Sequence, residues 1–322
     1  MEWFGLVAVS LPGLAALAAL LFTGMQVGQA NKELRISEQG QITNRFNAAI
    51  TNLGSDSLDV RLGGIYGLER IMQDSPRDRA TVVSVLTAYV RRHAPLPGAG
   101  TKKQQRTSPE VSLPTDIAAV MHVLAKRPFG VGELFALDLS RTDLRGLRSG
   151  QGRSKFADVS FREANLAGAE LNRADLTSAT LSGAILRAAD LTGASLSGAG
   201  LINADLSDAR LTSADLTSAN LTNANLTNAH LNGASLTSAV LNGAVLRAAS
   251  LSGALLSGAG LANADLSDAR LNAGQLRGAD LTNADLTNAD LTGADLTGAD
   301  TTDARLTGAK LDGVRGLPAS RR

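Results

Sequence analysis

The chain has 322 residues, 44% hydrophobic and only 3% aromatic, enough for two or three structural parts. It holds no cysteine, which excludes disulfides and thiol catalysis. The net charge of +1 is unevenly spread: residues 156–315 carry 17 acids and 10 bases, a net −7, while residues 1–155 sum to +6. With no aromatic residue after Phe161, the acidic half lacks both the basic track and the stacking platforms of a nucleic-acid binder, so no nucleic-acid partner is expected.

From Trp3 to Phe22 the chain is uncharged, and the next charge after Glu2 is Lys32. About twenty apolar residues span a bilayer, and Pro12 with Gly13 kinks such a helix without forbidding it. Residues 1–31 are therefore expected to be a transmembrane anchor. A cleaved signal ending near Gly28-Gln29-Ala30 competes, but the leading Met-Glu has no basic residue. Lys32, Arg35 and Arg45 lie on the C-terminal side, which predicts a single-pass cell-membrane protein with its bulk in the cytoplasm.

Residues 32–93 read as a helical juxtamembrane region. Ile42, Phe46, Ile50 and Leu53 form one apolar stripe, Gly54-Ser55 breaks it, and a second helix with Leu62, Ile65, Leu68, Ile71 and Met72 ends near Asp74. Ser75-Pro76-Arg77-Asp78 is a helix-start signal for a third helix carrying Val82, Val83, Val85, Leu86, Tyr89 and Val90. These helices are expected to form one small bundle. Residues 94–114, rich in Pro, Gly, Ser and charge, read as a mobile linker. Residues 115–132 begin with a helix bearing Ile117, Val120, Met121 and Leu124, expected to cap the element that follows.

That element is the repeat. From Phe161 to Leu311 a large apolar residue recurs every fifth position, faltering only at Thr301. A small residue stands two positions before nearly every one, with Gly274 in place of alanine. A period of five fits neither helix nor strand, but four such units trace a square coil of twenty residues with leucine and alanine inward. The position before leucine holds Asn165, Glu170, Asp175, Arg210 and His230 and must face water, while the Thr, Ser, Asn and Gly after it suit corners. The unit, Ala-(Asp/Asn)-Leu-x-x, resembles that of the pentapeptide-repeat family. The resemblance implies an all-β, right-handed quadrilateral parallel β-helix over residues 133–315, preceded by the transmembrane helix and the small α-helical region and followed by a tail, 316–322. Leu139 and Leu144 already keep the spacing, and Ser149 to Arg153 should bulge as a loop.

The stretches Gln39-Gly40-Gln41-Ile42-Thr43-Asn44-Arg45-Phe46 and Arg61-Leu62-Gly63-Gly64-Ile65-Tyr66-Gly67-Leu68-Glu69-Arg70-Ile71 resemble the helical preface of membrane-anchored actinobacterial members of that family. The resemblance implies no established activity.

Residues 178–212 and 238–272 are nearly identical at an offset of sixty, or three whole coils, so Arg187 should align with Arg247, Asp205 with Asp265 and Arg210 with Arg270. Val240, Val245 and Leu255 take outward positions where polar residues dominate, and are candidates for the centre of a partner patch. Asp280, Asp285, Asp290, Asp295 and Asp300 are expected to form an acidic collar around the last coils. His93, His122 and His230 have no metal-ligand spacing, and no phosphate-binding glycine loop occurs. No catalytic residue, cofactor or metal is therefore expected. The expected function is a non-enzymatic membrane-anchored scaffold that binds an unknown protein partner through its solenoid. One alternative is drawn from family members that mimic duplex DNA and protect DNA gyrase; another makes the solenoid a spacer for a regulatory membrane component. A homo-oligomer paired end to end near Leu306 and Leu311 is a further expectation.

Overall fold

A computed structural model of the chain describes residues 3–97, 113–128, 137–148 and 154–317, with side chains from residue 15 onward. It divides into two compact units, Met1–Pro76 and Arg77–Arg322.

The first unit is a helical hairpin of α1 (Trp3–Leu53) and α2 (Leu58–Asp74). A helix of 51 residues is about 76 Å long, yet among its described side chains only two are buried, Ala49 and Leu53, both in its last turns. Ile42 and Phe46 are half-buried, while Ile50, expected in the apolar stripe, is exposed; Ala49 takes the buried place. Gly64 of α2 makes the close crossing possible, since a Cβ there would lie 2.8 Å from the Ala49 carbonyl oxygen and 2.9 Å from the Leu53 nitrogen. Arg45 bonds Asp74 at 2.9 Å, and Arg61 donates to the Ser55 and Asp56 carbonyls in the connecting turn.

Among the described residues no helix is long and apolar enough to cross a membrane, so the structure does not support the transmembrane helix expected over residues 1–31. The described apolar side chains run from Ala15 to Phe22, about 12 Å of helix, before Thr23, Gly24, Gln26 and Gln29 dilute them. The side chains of residues 1–14 lie outside the described ones.

The second unit begins with α3 (Arg79–His93), entered from a 3-10 turn at Pro76–Asp78. Ser75 does not start this helix; it ends α2, donating its N–H to the Ile71 carbonyl. α3 packs against α4 (Thr115–Lys126), and the Tyr89 hydroxyl donates to Asp116 at 2.7 Å. The single bundle expected over residues 32–93 is thus divided, because α3 joins the unit that contains α4 and the solenoid. The expected linker also begins with structure. Pro95 makes an antiparallel bridge to Thr142, Asp143 donates to the Ala94 carbonyl and Leu96 to that of Arg141. The basic linker cluster Lys102, Lys103 and Arg106 lies outside the described residues.

From Lys155 to Arg315 every bridge is parallel and joins residues twenty apart, so the coil has four sides of five residues. In the first coil the spacing is twenty-two, as in Asp138 to Ser160; the bulge expected at Ser149 to Arg153 lies outside the described residues. One unit represents the rest. Leu201 N–H donates to the Asn220 carbonyl at 2.7 Å, Asn203 N–H to Thr222 at 3.0 Å, and Asn220 N–H back to Ala199 at 2.9 Å. Ala204 N–H closes a four-residue turn on the Leu201 carbonyl, and Asn203, its third residue, has φ +57°. Such a turn requires a left-handed residue, which is why Gly, Asn, Asp and Ser recur at the fifth position.

Leucines of the solenoid interior are fully buried through Leu296, with alanines beside them. Phe156 and Phe161 fill the first coils in an edge-to-face contact with centroids 5.6 Å apart. Gly274 is the exception among the small inward residues, because a Cβ would sit 2.8 Å from the Leu271 oxygen and 3.3 Å from a Leu276 methyl. Helix α4 closes one side of the open first coil. Lys155 N–H donates to the Ala125 carbonyl, and the buried Arg127 guanidinium bonds the carbonyls of Leu124 and Lys155 at 2.8 and 2.6 Å.

Two stability outcomes follow from this packing. Leu226→Ala in the closed middle of the rod should cost ~2–5 kcal/mol in guanidinium unfolding, and Leu306→Ala in the half-buried last coil less than half of that. Gly274→Ala, although it restores the alanine of the repeat, should destabilise by ~1–3 kcal/mol, because backbone must move to admit the methyl.

Candidate interaction surface of the solenoid

The residue before each inward leucine points outward and stacks on its equivalents twenty residues away, so the four faces can be read as columns. The first face runs Lys155, Asp175, Ser195, Asp215, Ser235, Leu255, Gln275, Asp295, Arg315. The second is Ser160, Thr180, Gly200, Asn220, Val240, Gly260, Asp280, Asp300. On the third stand Asn165, Ile185, Asp205, Asn225, Val245, Asp265, Asp285 and Arg305, and on the fourth Glu170, Asp190, Arg210, His230, Ser250, Arg270, Asp290 and Lys310.

These columns separate the three apolar candidates. Val240 lies on the second face, Val245 on the third and Leu255 on the first, so they do not form one patch. Corners intervene because consecutive units turn away from one another. The apolar residues that sequence reasoning missed are Ile185 and Ile202, exposed by 39% and 36%. Ile202 shares the second face with Val240, a relation visible only after aligning the sequence at twenty.

The five aspartates do surround the rod; each is held by a local bond, and three of them also stand beside a cation. Each uses Oδ1 to accept the N–H two residues on: Thr282, Thr287, Thr292, Thr297 and Thr302. The same bond recurs from Asp175 to Thr177 and from Asn225 to Thr227, so the acid or amide before leucine is first a turn-forming group. One coil further on, Arg305 stands 3.6 Å from Asp285, Lys310 3.9 Å from Asp290 and Arg315 3.9 Å from Asp295. Only on the second face does the collar stack acid on acid, Asp280 over Asp300.

Asp295 is the most tightly held. It is 4% exposed and accepts from the Thr297 hydroxyl and N–H and from Arg277 Nε at 2.7 Å, which together hold its carboxyl far below the usual range. Asp285 and Asp290 are lowered by their bonds from Thr287 and Thr292, helped by Arg305 and Lys310 respectively. Burial pushes Asp205 up, but Ser207 and Arg187 outweigh it and the net shift is downward.

The histidines do not converge. His93 stacks on Tyr89 with centroids 4.0 Å apart, His122 is half-buried in α4, and His230 is exposed between Arg210 and Ser250. Among the described residues no group of three or more His, Asp or Glu could hold a metal ion.

A carboxylate lowered by folding adds stability above its unfolded pKa, about 3.9, and that stability is lost as pH falls through the depressed folded value. The urea midpoint should therefore be flat from pH 7 to about 5 and fall below about 4. Asp295→Asn should make the acid limb shallower, as read by circular dichroism across the pH series.

The family model described as "Pentapeptide repeats" matches residues 154–193, 194–233, 234–272, 264–300 and 274–313. Among solved structures, HetL is a pentapeptide repeat protein involved in heterocyst differentiation regulation in the cyanobacterium Nostoc sp. strain PCC 7120. It is 42% identical over 56% of this chain and 82% of its own, with a TM-score of 0.39. The pentapeptide repeat protein alr5209 of Nostoc PCC 7120 is 31% identical over 38% of this chain and 83% of its own, with a TM-score of 0.19. QnrB1, a plasmid-mediated fluoroquinolone resistance protein, is 22% identical over 57% of this chain and 88% of its own, with a TM-score of 0.31. No curated protein sequence matches the chain. The family matches begin at residue 154, so the membrane anchoring and actinobacterial origin expected from the helical preface find no support in them. The unbroken repeat and the match of the family model along it, from residue 154 to 313, lead to one conclusion: the chain belongs to the pentapeptide-repeat family.

Proposed function

We propose that the protein is a non-enzymatic scaffold whose solenoid presents a rigid face to another protein. The observation that carries this reading is the second face between Thr180 and Asn263, where five successive coils hold no charged residue. Its relief is low, because Gly200 and Gly260 carry no side chain. Ile202 and Val240 stand exposed by 36% and 38% within it. Uncharged surface around a few apolar anchors is the composition of the centre of a protein interface. Among the described residues no metal-binding cluster of His, Asp or Glu competes with that use, and the collar aspartates are engaged in turns.

The finer part of the reading is a location at the cell membrane, with the solenoid on the cytoplasmic side. The uncharged stretch from Trp3 to Asn31 supports it, as do the exposed Leu17, Leu20, Leu21 and Phe22 of α1. A tagged chain recovered wholly in the soluble fraction would remove this part and leave the scaffold reading intact. The gyrase reading draws on the rod shape and the net −7 charge of residues 156–315, and the cations beside three of the five collar aspartates weaken it. Purified protein in excess should leave gyrase supercoiling unchanged.

Photo-crosslinking residues at 202 and 240 should capture a common protein, and Ile202→Arg with Val240→Arg should abolish the capture while moving the unfolding free energy by less than ~0.5 kcal/mol. Capture that survives both arginines sinks the assignment of this face.

A further inference from the structure

The uncharged strip on the second face extends around both of its edges. The corner residues are Ser178, Gly198, Ser218, Ser238 and Gly258 on one edge, and Gly183, Asn203, Asn223, Gly243 and Asn263 on the other. Over these five coils neither the face nor its corners carries a charge, and what varies is relief, because six of the positions are glycine. The column of this face has nine rungs from Asp138 to Asp300, and Asn220 is the middle one both of the column and of the uncharged strip.

Two copies of one face meet through a two-fold axis that lies in the plane between them. An axis across the rod makes the rods antiparallel and sets each column against itself, so a coil opposes the one at equal distance beyond the axis. With the axis at the Asn220 coil, Gly200 opposes the partner's Val240 and Gly260 the partner's Thr180. At the corners Gly183 and Gly243 meet the partner's Asn263 and Asn203, and Gly198 and Gly258 the partner's Ser238 and Ser178. Each of the six gaps thus receives a side chain. Val240 enters the gap over Gly200 beside Ile202, which brings together the two apolar residues exposed by 38% and 36%. A shift of one coil loses the match, since it sets Gly200 against Gly260 or Gly183 against Gly243.

The charges beyond the strip fit the same arrangement. Asp158, Arg162 and Glu163 meet the partner's Gly278, Thr282 and Asn283, and Ser160 meets the partner's Asp280. In the outermost coils Arg141 comes opposite the partner's Asp303, while Asp138, which opposes Asp300, is already bonded to Arg91 at 3.0 Å. The other axis available, along the rod, keeps the rods parallel. It sets Asp158 against the partner's Glu163 and gathers Asp280 and Asp300 of both copies along one seam.

We propose that the second face is occupied by a second copy of this chain, packed antiparallel about a two-fold axis at the Asn220 coil. This rests on the reading of that face as an interface and names its occupant. Nine coils at about 4.8 Å and a face about 10 Å wide give roughly 430 Å² per copy, short of the ~800 Å² of a standard interface, so the association is weak and its register is set by fit.

Sedimentation equilibrium of the pure full chain at high concentration should show monomer and dimer in exchange. Gly200→Gln fills one gap without adding charge, and a Cβ there meets nothing nearer than Ser182 Oγ at 3.8 Å, so the fold accepts it while dimerisation falls about tenfold or more. Raising salt from about 50 to about 500 mM should change dimerisation less than about twofold, because the five central coils hold no ion pair to screen. The chain has no native cysteine, so Thr222→Cys reports the axis and should cross-link to its own counterpart with a short bismaleimide. Thr282→Cys should not, because its counterpart lies six coils, about 29 Å, away; in a mixed sample it should instead join Arg162→Cys. A monomeric pure chain, dimerisation untouched by Gly200→Gln, or cross-linking at 282 equal to that at 222 overturns the proposal. If the pure chain is monomeric and positions 202 and 240 still capture a different protein in cells, that protein is the occupant and only the reading of the face as an interface survives.

Discussion

The hydrogen-bond ladder between coils is the constraint on which the solenoid depends. Each leucine N–H reaches a carbonyl nineteen residues on, and each outward residue returns a bond to an alanine carbonyl twenty-one residues back. These distances close only if every side has five residues and every turn has a residue of positive φ. Buried backbone groups left unpaired would cost more than any side-chain contact could return, so the repeat tolerates no slip from residue 154 onward. Leucine and alanine then fill most of the interior, with Phe156 and Phe161 in the first coils, because a closely packed space between the sides takes apolar side chains.

The same ladder determines what remains for function. With the interior filled, only the residues flanking each leucine vary, and many of these are engaged in shaping their own turn. An aspartate before leucine that accepts from the N–H after it is a local structural group, whatever its charge suggests. The surface differences that survive are differences between faces: an uncharged low-relief strip on one, an alternation of arginine and aspartate on another. A rod of this kind recognises partners by the order of side chains along a column.

The two ends of the ladder are treated differently. At the N-terminal end, Ala125 of α4 and the segment Ala94–Leu96 supply carbonyl and N–H groups to the first coil, so the exposed edge is covered by chain from outside the repeat. At the other end Leu306 and Leu311 are only half-buried, and Thr301 replaces the leucine where the inward position has begun to meet solvent.

Much of the solenoid was legible because one local rule, a large apolar residue every fifth position, is also its global rule. The corner residues were readable for the same reason, since a turn demands its φ from a single residue. The helices were readable from periodicity, with their ends displaced slightly: Ile50 is outside and Ala49 inside because the α1–α2 crossing is set by Gly64, a contact between residues fifteen apart. What periodicity does not carry is allegiance. That α3 belongs with the solenoid unit rests on contacts such as Arg91 to Asp138 at 3.0 Å and Tyr89 to Asp116, which join distant residues. The candidate surface was legible only in part. Val240, Val245 and Leu255 look alike in sequence but are divided by corners, and the aspartates look like a charged collar until Arg305, Lys310 and Arg315 are stacked beneath them. The sequence by itself determined the coil, because its bonds repeat with the chain; only the tertiary structure decided the surface, because outward neighbours are residues twenty apart whose charges meet after the chain has wound.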